Sequence, residues 1–194
     1  MGGDGKAAMF QVRIHGRGGQ GAVTAAELLS VAAFLEGKYA QAFPSFGSER
    51  TGAPVVAFCR ICDKEIRLRE PIQEPDALIV QDPTLFKSAD VLEGLAPRGF
   101  LLVKTNMSFA DMHLDEIVAR LPKDHALISP ATELAMTHVG RPSPNTALLG
   151  AFTAFTKIVS LDSVLEAIRR AFPGKIGEAN VAAARAAHAL AAHA

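Results

Sequence analysis

The chain of 194 residues has no tryptophan, one tyrosine and only two cysteines. So few thiols exclude a disulfide-stapled secreted scaffold. Neither sign of charge is in excess, with 20 Lys plus Arg against 20 Asp plus Glu. Nothing therefore steers the chain electrostatically to nucleic acid or to an anionic membrane. No apolar run is long enough to span a bilayer. The opening MGGDGKAAM has one lysine and no apolar core, unlike a secretory signal. These absences point to the cytoplasm. What is present is 49% apolar and 21% charged residues, enough for a compact core. Residues 1–9 read as a flexible tail and residues 10–194 as a single domain. A neutral, apolar-leaning chain is poorly protected from association, which hints at partner subunits.

Short strands alternate with helices along the chain. MFQVRIH (Met9 to His15) is a strand before glycine punctuation, and Ala22 to Glu36 is a helix stopped by Gly37. KYAQAF suggests a second strand, and PSFGSERTGAP (Pro44 to Pro54) is a loop by its Pro, Gly and Ser content. VVAFCRI and KEIRL, separated by CDK, suggest a β-hairpin. DALIV, GFLLVK and ALIS read as further strands. Helices are expected from Pro83 toward Gly94, from Pro130 to His138, after Asn145, over SLDSVLEAIRRAF, and after Gly174. The fold class that follows is α/β: a mainly parallel twisted sheet with flanking helices, Rossmann-like, with a β-hairpin insertion. The helix after Gly21 has a narrow polar stripe of Thr24, Glu27 and Ser30. An ordinary surface helix has a wider one. Its second cover is either a partner subunit or another helix of the same chain.

Between the first strand and that helix lies HGRGGQG, with four glycines in the six residues from Gly16 to Gly21. Gly16, Gly18 and Gly21 satisfy G-x-G-x-x-G in the setting where the pattern has physical meaning. Glycines let a phosphate or ring approach the backbone, and the helix N-terminus supplies N–H donors. Arg17 could add a charge-assisted contact, and the Gln20 amide could reach a ligand laterally. A dinucleotide site wants an acid about 20 residues on to hold a ribose. KYAQAFPSFG offers none before Glu49. The loop alone therefore leaves open a ligand-free turn, an NAD or FAD site, another phosphate-bearing ligand and a subunit interface.

The loop has companions. HGRGGQGAVTAAELL is followed by EGKYAQAFPSFGSERTGAPVVAFCRI, then DPTL, VLEGLAPRGFLLV, PNTALLGAFTAFTKIVSLDSVLEAI and GKIGEAN. In this order and spacing, from about Phe10 to Glu178, the chain resembles the gamma subunit of 2-oxoacid:ferredoxin oxidoreductases, pyruvate:ferredoxin oxidoreductase in particular. The resemblance implies a part in the oxidative decarboxylation of a 2-oxoacid to an acyl-CoA and carbon dioxide. Electrons would pass through iron–sulfur clusters to ferredoxin or a related acceptor. It implies alpha, beta and ferredoxin-like delta partner subunits. Those subunits would carry thiamine diphosphate, its Mg ion and the 4Fe-4S clusters, while this subunit helps to bind coenzyme A and holds no catalytic residue or metal. Two cysteines agree, since they cannot supply four thiolates to a cluster.

By the same resemblance, Gly16, Arg17, Gly18, Gly19, Gln20 and Gly21 form the first site segment. Ser45, Phe46, Glu49 and Arg50 are the candidates in the second. Phe46 could stack on a ring, Arg50 could meet a phosphate, and Glu49 could hold Arg50 or a basic residue of a partner. A subunit contact without ligand is the other reading of this second loop. Asn145 matches a further family segment, where capping the following helix competes with ligand contact. A stand-alone NAD- or FAD-binding dehydrogenase domain and a purely structural assembly subunit remain as rival functions. Cys59 and Cys62 form a single C-x-x-C pair, but residues i and i+3 of a strand point to opposite faces. His15 is expected to make a structural hydrogen bond beside the loop. His188 and His193 are expected to face solvent.

Overall fold

A computed structural model describes residues 9–45 and 51–194. The strands are β1 (Phe10–Arg17), β2 (Tyr39–Pro44), β3 (Pro54–Cys62), β4 (Ala77–Val80), β5 (Phe100–Lys104) and β6 (Ala126–Ser129). They form one sheet in the order β2-β3-β1-β4-β5-β6. Strands β1, β4, β5 and β6 are parallel neighbours. Only β3 is reversed, antiparallel to both β1 and β2. Helix α1 (Ala22–Leu35) carries the chain from β1 across to the sheet edge at β2, and β3 then folds back to fill the gap.

The hairpin is thus β2 with β3, and not β3 with KEIRL as its sequence suggests. Residues 65–69 form no strand. Two buried arginines take up the carbonyls of the irregular segment that follows. Arg60 donates from Nη2 to Glu70 O at 2.6 Å, and Arg13 donates from Nη1 to Ile72 O at 3.4 Å. Backbone polar groups that would seek a ladder are met by guanidinium N–H groups instead.

Alternation along the strands sends Val12, Ile14, Ile79, Leu102 and Leu127 to one face, into the main core. That face is covered by α1, α4 (Asn145–Thr156), α5 (Leu161–Ala171) and α6 (Gly174–Ala191). Leu78, Val80, Leu101 and Val103 point to the other face. There the cover is a 3₁₀ turn (Pro83–Lys87), turns, and the short α2 (Asp115–Val118). The helix expected from Pro83 toward Gly94 shrinks to that 3₁₀ turn. Helix α3 (Ala131–Val139) follows β6 as its sequence suggests.

The alanine-rich end of the chain packs by close approach. A methyl group on Gly150 of α4 would come within 2.0 Å of Ala184 O in α6. The missing side chain at Gly150 lets the two helices touch backbone to backbone. His188 of α6 does not face solvent: it is half-buried, and its Nδ1 lies 2.9 Å from Thr153 Oγ1 of α4. His193 is exposed.

Helix α1 rests on the sheet and is flanked by α5, so a helix of the same chain supplies part of its second cover. An apolar strip is left over. Phe34 is 71% exposed, and Val31 and Tyr39 stand exposed beside it. Cys59 and Cys62 are both buried on β3. Burial pushes the Cys59 thiol up to about 12, so it is no nucleophile at neutral pH.

Candidate functional site

Strand β1 continues through Gly16 and Arg17, so the true loop is Gly18 to Gly21. Gly19 (φ +93°) and Gly21 (φ +77°) hold left-handed backbone that a side chain would strain. Gly21 is the N-cap of α1, with no described side chain accepting from the first turn and no acid in that turn. The helix therefore presents backbone N–H donors and partial positive charge at the end of β1. Arg17, Gly18, Gly19, Gly21, Ala22 and Val23 line a cavity of about 420 Å³ there, together with Thr51 and Val55.

The second segment is physically joined to the first. Gly18 N donates to Ala53 O at 2.8 Å, and Gly52 N donates to Gly18 O at 3.1 Å. Thr51 walls the cavity from that side. Ser45 directly follows β2, exposed, with its N–H donated to Val56 O, but it does not line the cavity. Phe46, Glu49 and Arg50 lie outside the described residues.

Arg17 and Gln20 turn inward. Arg17 donates from Nε to Asp82 Oδ2 at 3.1 Å, from Nη1 to Gly52 O at 3.1 Å and from Nη2 to Thr84 Oγ1 at 2.8 Å. Gln20 accepts from Arg17 N at 2.8 Å and donates to Asp82 Oδ2 at 3.1 Å. One guanidinium thus ties the end of β1 to the loops before β3 and after β4. Burial alone would raise the Asp82 carboxyl, but bonds from Thr84 and Gln20 and the Arg17 charge hold it below the usual carboxylate range. Arg17 is a strut, and the surface it leaves open is glycine backbone.

Asp82 and Thr84 were not singled out in the sequence, although they complete this network. A usable signal stands there: QDPT follows strand β4, and parallel neighbours end at the same edge as β1. Asp82 caps the 3₁₀ turn by accepting from Thr84 N at 3.0 Å. Gln81 also escaped notice. It is wholly buried, its side-chain amide has no hydrogen-bond partner among the described residues, and a methyl group at Gly16 would sit 2.7 Å from its Oε1. Gly16 is thus needed for room beneath the loop.

Asn145 is the first residue of α4 and does not cap it from the preceding position; Pro144 stands there without a side-chain bond. Asn145 is buried, and its Oδ1 accepts from Thr146 N at 3.0 Å and from Ser143 Oγ at 3.1 Å. Its Nδ2 would meet a methyl group on Gly21 at 2.7 Å. The N-termini of α1 and α4 therefore touch through a glycine and an amide. His15 keeps its structural role: Nε2 accepts from Arg13 Nε at 2.9 Å. Burial first, and the Arg13 charge second, lower its pKa to about 4, so it is neutral at pH 7.

Strand β3 lies between β1 and β2. The end of β2, where a dinucleotide fold places its ribose-binding acid, is therefore not beside the glycine loop, and YAQAFP carries no acid. Among the described residues no group of three His, Cys, Asp or Glu side chains could hold a metal ion. No helix there is long and apolar enough to cross a membrane.

A family model described as pyruvate ferredoxin/flavodoxin oxidoreductase matches residues 11–190. The chain is 49% identical over 180 residues to the pyruvate/ketoisovalerate oxidoreductases common subunit gamma of Pyrococcus furiosus, covering 93% of this chain and 96% of that one. It is 48% identical over 180 residues to pyruvate synthase subunit PorC of Methanothermobacter marburgensis, with the same coverage. The crystal structure of pyruvate oxidoreductase subunit PORC from Thermotoga maritima shares the fold at a TM-score of 0.78 and 37% identity, over 93% of this chain and 96% of that one.

Proposed function

The chain belongs to the pyruvate ferredoxin/flavodoxin oxidoreductase family, and from that premise we propose that it is the gamma subunit of a multisubunit 2-oxoacid:ferredoxin oxidoreductase. The complex oxidatively decarboxylates a 2-oxoacid, with pyruvate the leading candidate, to an acyl-CoA and carbon dioxide, and passes the electrons to ferredoxin or a related acceptor. This subunit holds coenzyme A at the mouth of β1 and docks the alpha, beta and ferredoxin-like delta subunits. Thiamine diphosphate, its Mg ion and the 4Fe-4S clusters belong to those partners. Both cysteines of this chain are buried in β3, which fits that division.

One observation carries the coenzyme A reading: the glycine-walled cavity of about 420 Å³ at an uncapped helix N-terminus, closed from the side by the second segment. A pyrophosphate or phosphate can come close to bare backbone there and meet N–H donors. The nucleotide handle would be held, and the thiol delivered toward chemistry on a neighbouring subunit. The rate effect asked of this chain is positioning, since an oriented thiol reacts as if at very high local concentration. A dinucleotide reading is disfavoured by β3 lying between β1 and β2.

The test is titration of the assembled complex with coenzyme A, comparing the wild type with Thr51→Glu. Thr51 is exposed on the cavity wall, so a carboxylate there opposes a phosphate without disturbing the core. The expected result is at least tenfold weaker binding. Unchanged binding would overturn the reading. The isolated subunit is expected to show no turnover of a 2-oxoacid, and full activity of the purified single chain would contradict the assignment.

A further inference from the structure

From β1 the chain continues through α1 on one face of the sheet, and from β4 it continues through the 3₁₀ turn on the other. The carboxyl ends of the neighbouring strands β1 and β4 therefore flank the point where the connections diverge. In open α/β sheets that is where ligands enter. Gln81 stands at this point. Its N–H donates to His15 O at 2.7 Å, one residue beyond the end of β4. Alternation from Ile79 sends its side chain to the face that α1 covers. The position a methyl group on Gly16 would take lies 2.7 Å from Gln81 Oε1, 3.4 Å from Ala22 Cβ and 3.4 Å from Gln20 Oε1. The Gln81 amide thus sits beneath the glycine loop, beside the start of α1.

A second carboxamide, Asn145, fills the corresponding space at Gly21. Its Oδ1 accepts from Thr146 N and Ser143 Oγ. Gln81 differs: neither Nε2 nor Oε1 has a partner among the described residues, although the residue is wholly buried. Asn145 is held by its surroundings, whereas an unpaired amide at Gln81 costs the fold stability. A methionine would fill similar space without that cost. The loop above has bonding capacity to match. The N–H groups of Gly19 and Gly21 make no backbone hydrogen bond among the described residues. Gln20 Oε1 accepts from Arg17 N, which leaves it a second lone pair.

We propose that Gln81 is the positioning residue of the glycine loop: its amide donates to Gln20 Oε1 when a ligand seats the loop, and stays unpaired in the free chain. Ligand and Gln81 then favour the same loop arrangement, so the ligand gains affinity from a bond that it does not itself make. Gln81 does not line the cavity, so it acts through the loop and not by contact. For the identity of the ligand the inference rests on the coenzyme A reading.

Thermal unfolding of the purified chain and calorimetry of the assembled complex with coenzyme A test it, on Gln81→Met and Gln81→Leu beside Thr51→Glu. The two Gln81 variants are expected to raise the thermal midpoint by about 2–4 °C. They are nevertheless expected to weaken coenzyme A binding roughly fivefold, raising its KM and leaving kcat at saturating coenzyme A unchanged. A merely structural residue would move the midpoint and leave the affinity alone. A lowered midpoint in both variants would show that the amide is already paired in the free chain and would overturn the proposal. Unchanged affinity in both, beside a loss in Thr51→Glu, would overturn the role of Gln81 and spare the coenzyme A reading. Affinity indifferent to all three variants would overturn that reading and this role with it.

Discussion

Arg13 and Arg17 stand four residues apart on β1 and on the same face, yet they close off different amounts of space. Arg13 is buried among carbonyls: Ile72, Val91 and Glu93 accept from it, and His15 takes its Nε. Nothing there is left for a ligand. Arg17 is as fully engaged, by Asp82, Thr84 and Gly52, but the glycines beside it stay open to a cavity. An arginine inside a phosphate-binding pattern invites the reading that it meets the phosphate. Here the pattern's arginine fixes the loop, and the bare glycine backbone beside it is the surface proposed to meet the ligand.

The contrast can be pressed from its larger effects to its smaller ones. Arg13→Ala should be the most damaging change, since it leaves buried carbonyls of the segment around Ile72 and Val91 without donors. A loss of about 3–4 kcal/mol is expected, read as a drop in thermal midpoint of the purified chain on the order of 10 °C. A loss below about 1 kcal/mol would mean that the Arg13 region is no more closed than the Arg17 region.

His15 sharpens the same side of the comparison through pH. Its folded pKa is depressed to about 4 from 6.5. The stability from keeping it neutral is therefore complete above about pH 6.5 and is lost as pH falls toward 4. The loss amounts to about 3 kcal/mol at most. Denaturant unfolding from pH 7 to pH 4 should show this slope in the wild type and a shallower one in His15→Gln. Parallel slopes would remove His15 from the account.

At the mouth of the strand the effects are smaller on stability and larger on ligand. Asp82→Asn should cost about 1–2 kcal/mol by weakening the bonds from Arg17 and Gln20, while raising the apparent KM for coenzyme A in the complex several-fold. Arg17→Lys should cost about 1 kcal/mol or less. It separates strut from phosphate contact, because lysine keeps the charge and loses the three-way fork. If Arg17 is a strut, Lys should raise the KM for coenzyme A as much as Ala does. Rescue by Lys would make Arg17 a direct charge contact.

Much of this arrangement was legible in the residues. The strand, the four glycines and the helix were read where they occur, because alternation, punctuation and helix formers all agree there. KEIRL was misread: its alternation is that of a strand, but Arg60 and Arg13 take its neighbours' carbonyls, a long-range effect that no local pattern carries. The helix after Pro83 was overextended because Asp82 and Pro83 start a turn strongly and nothing downstream sustains it. Asn145 looked like a cap, and only the meeting of α1 with α4 reveals its place against Gly21. QDPT after β4 marked the place of Gln81, Asp82 and Thr84, but not their contacts with the glycine loop. They sit at the end of β4, which becomes a neighbour of the glycine loop only when the sheet order is known.

The central claim, that the open backbone at the mouth of β1 receives coenzyme A, is tested most directly by amide hydrogen exchange of the assembled complex with and without the coenzyme. The account predicts slowed exchange at residues 18–24 and 51–53 on adding coenzyme A, with residues 12–15 unchanged. Protection of those segments by assembly alone, with no further change on adding coenzyme A, would contradict it and leave the glycine loop as a packing turn between subunits.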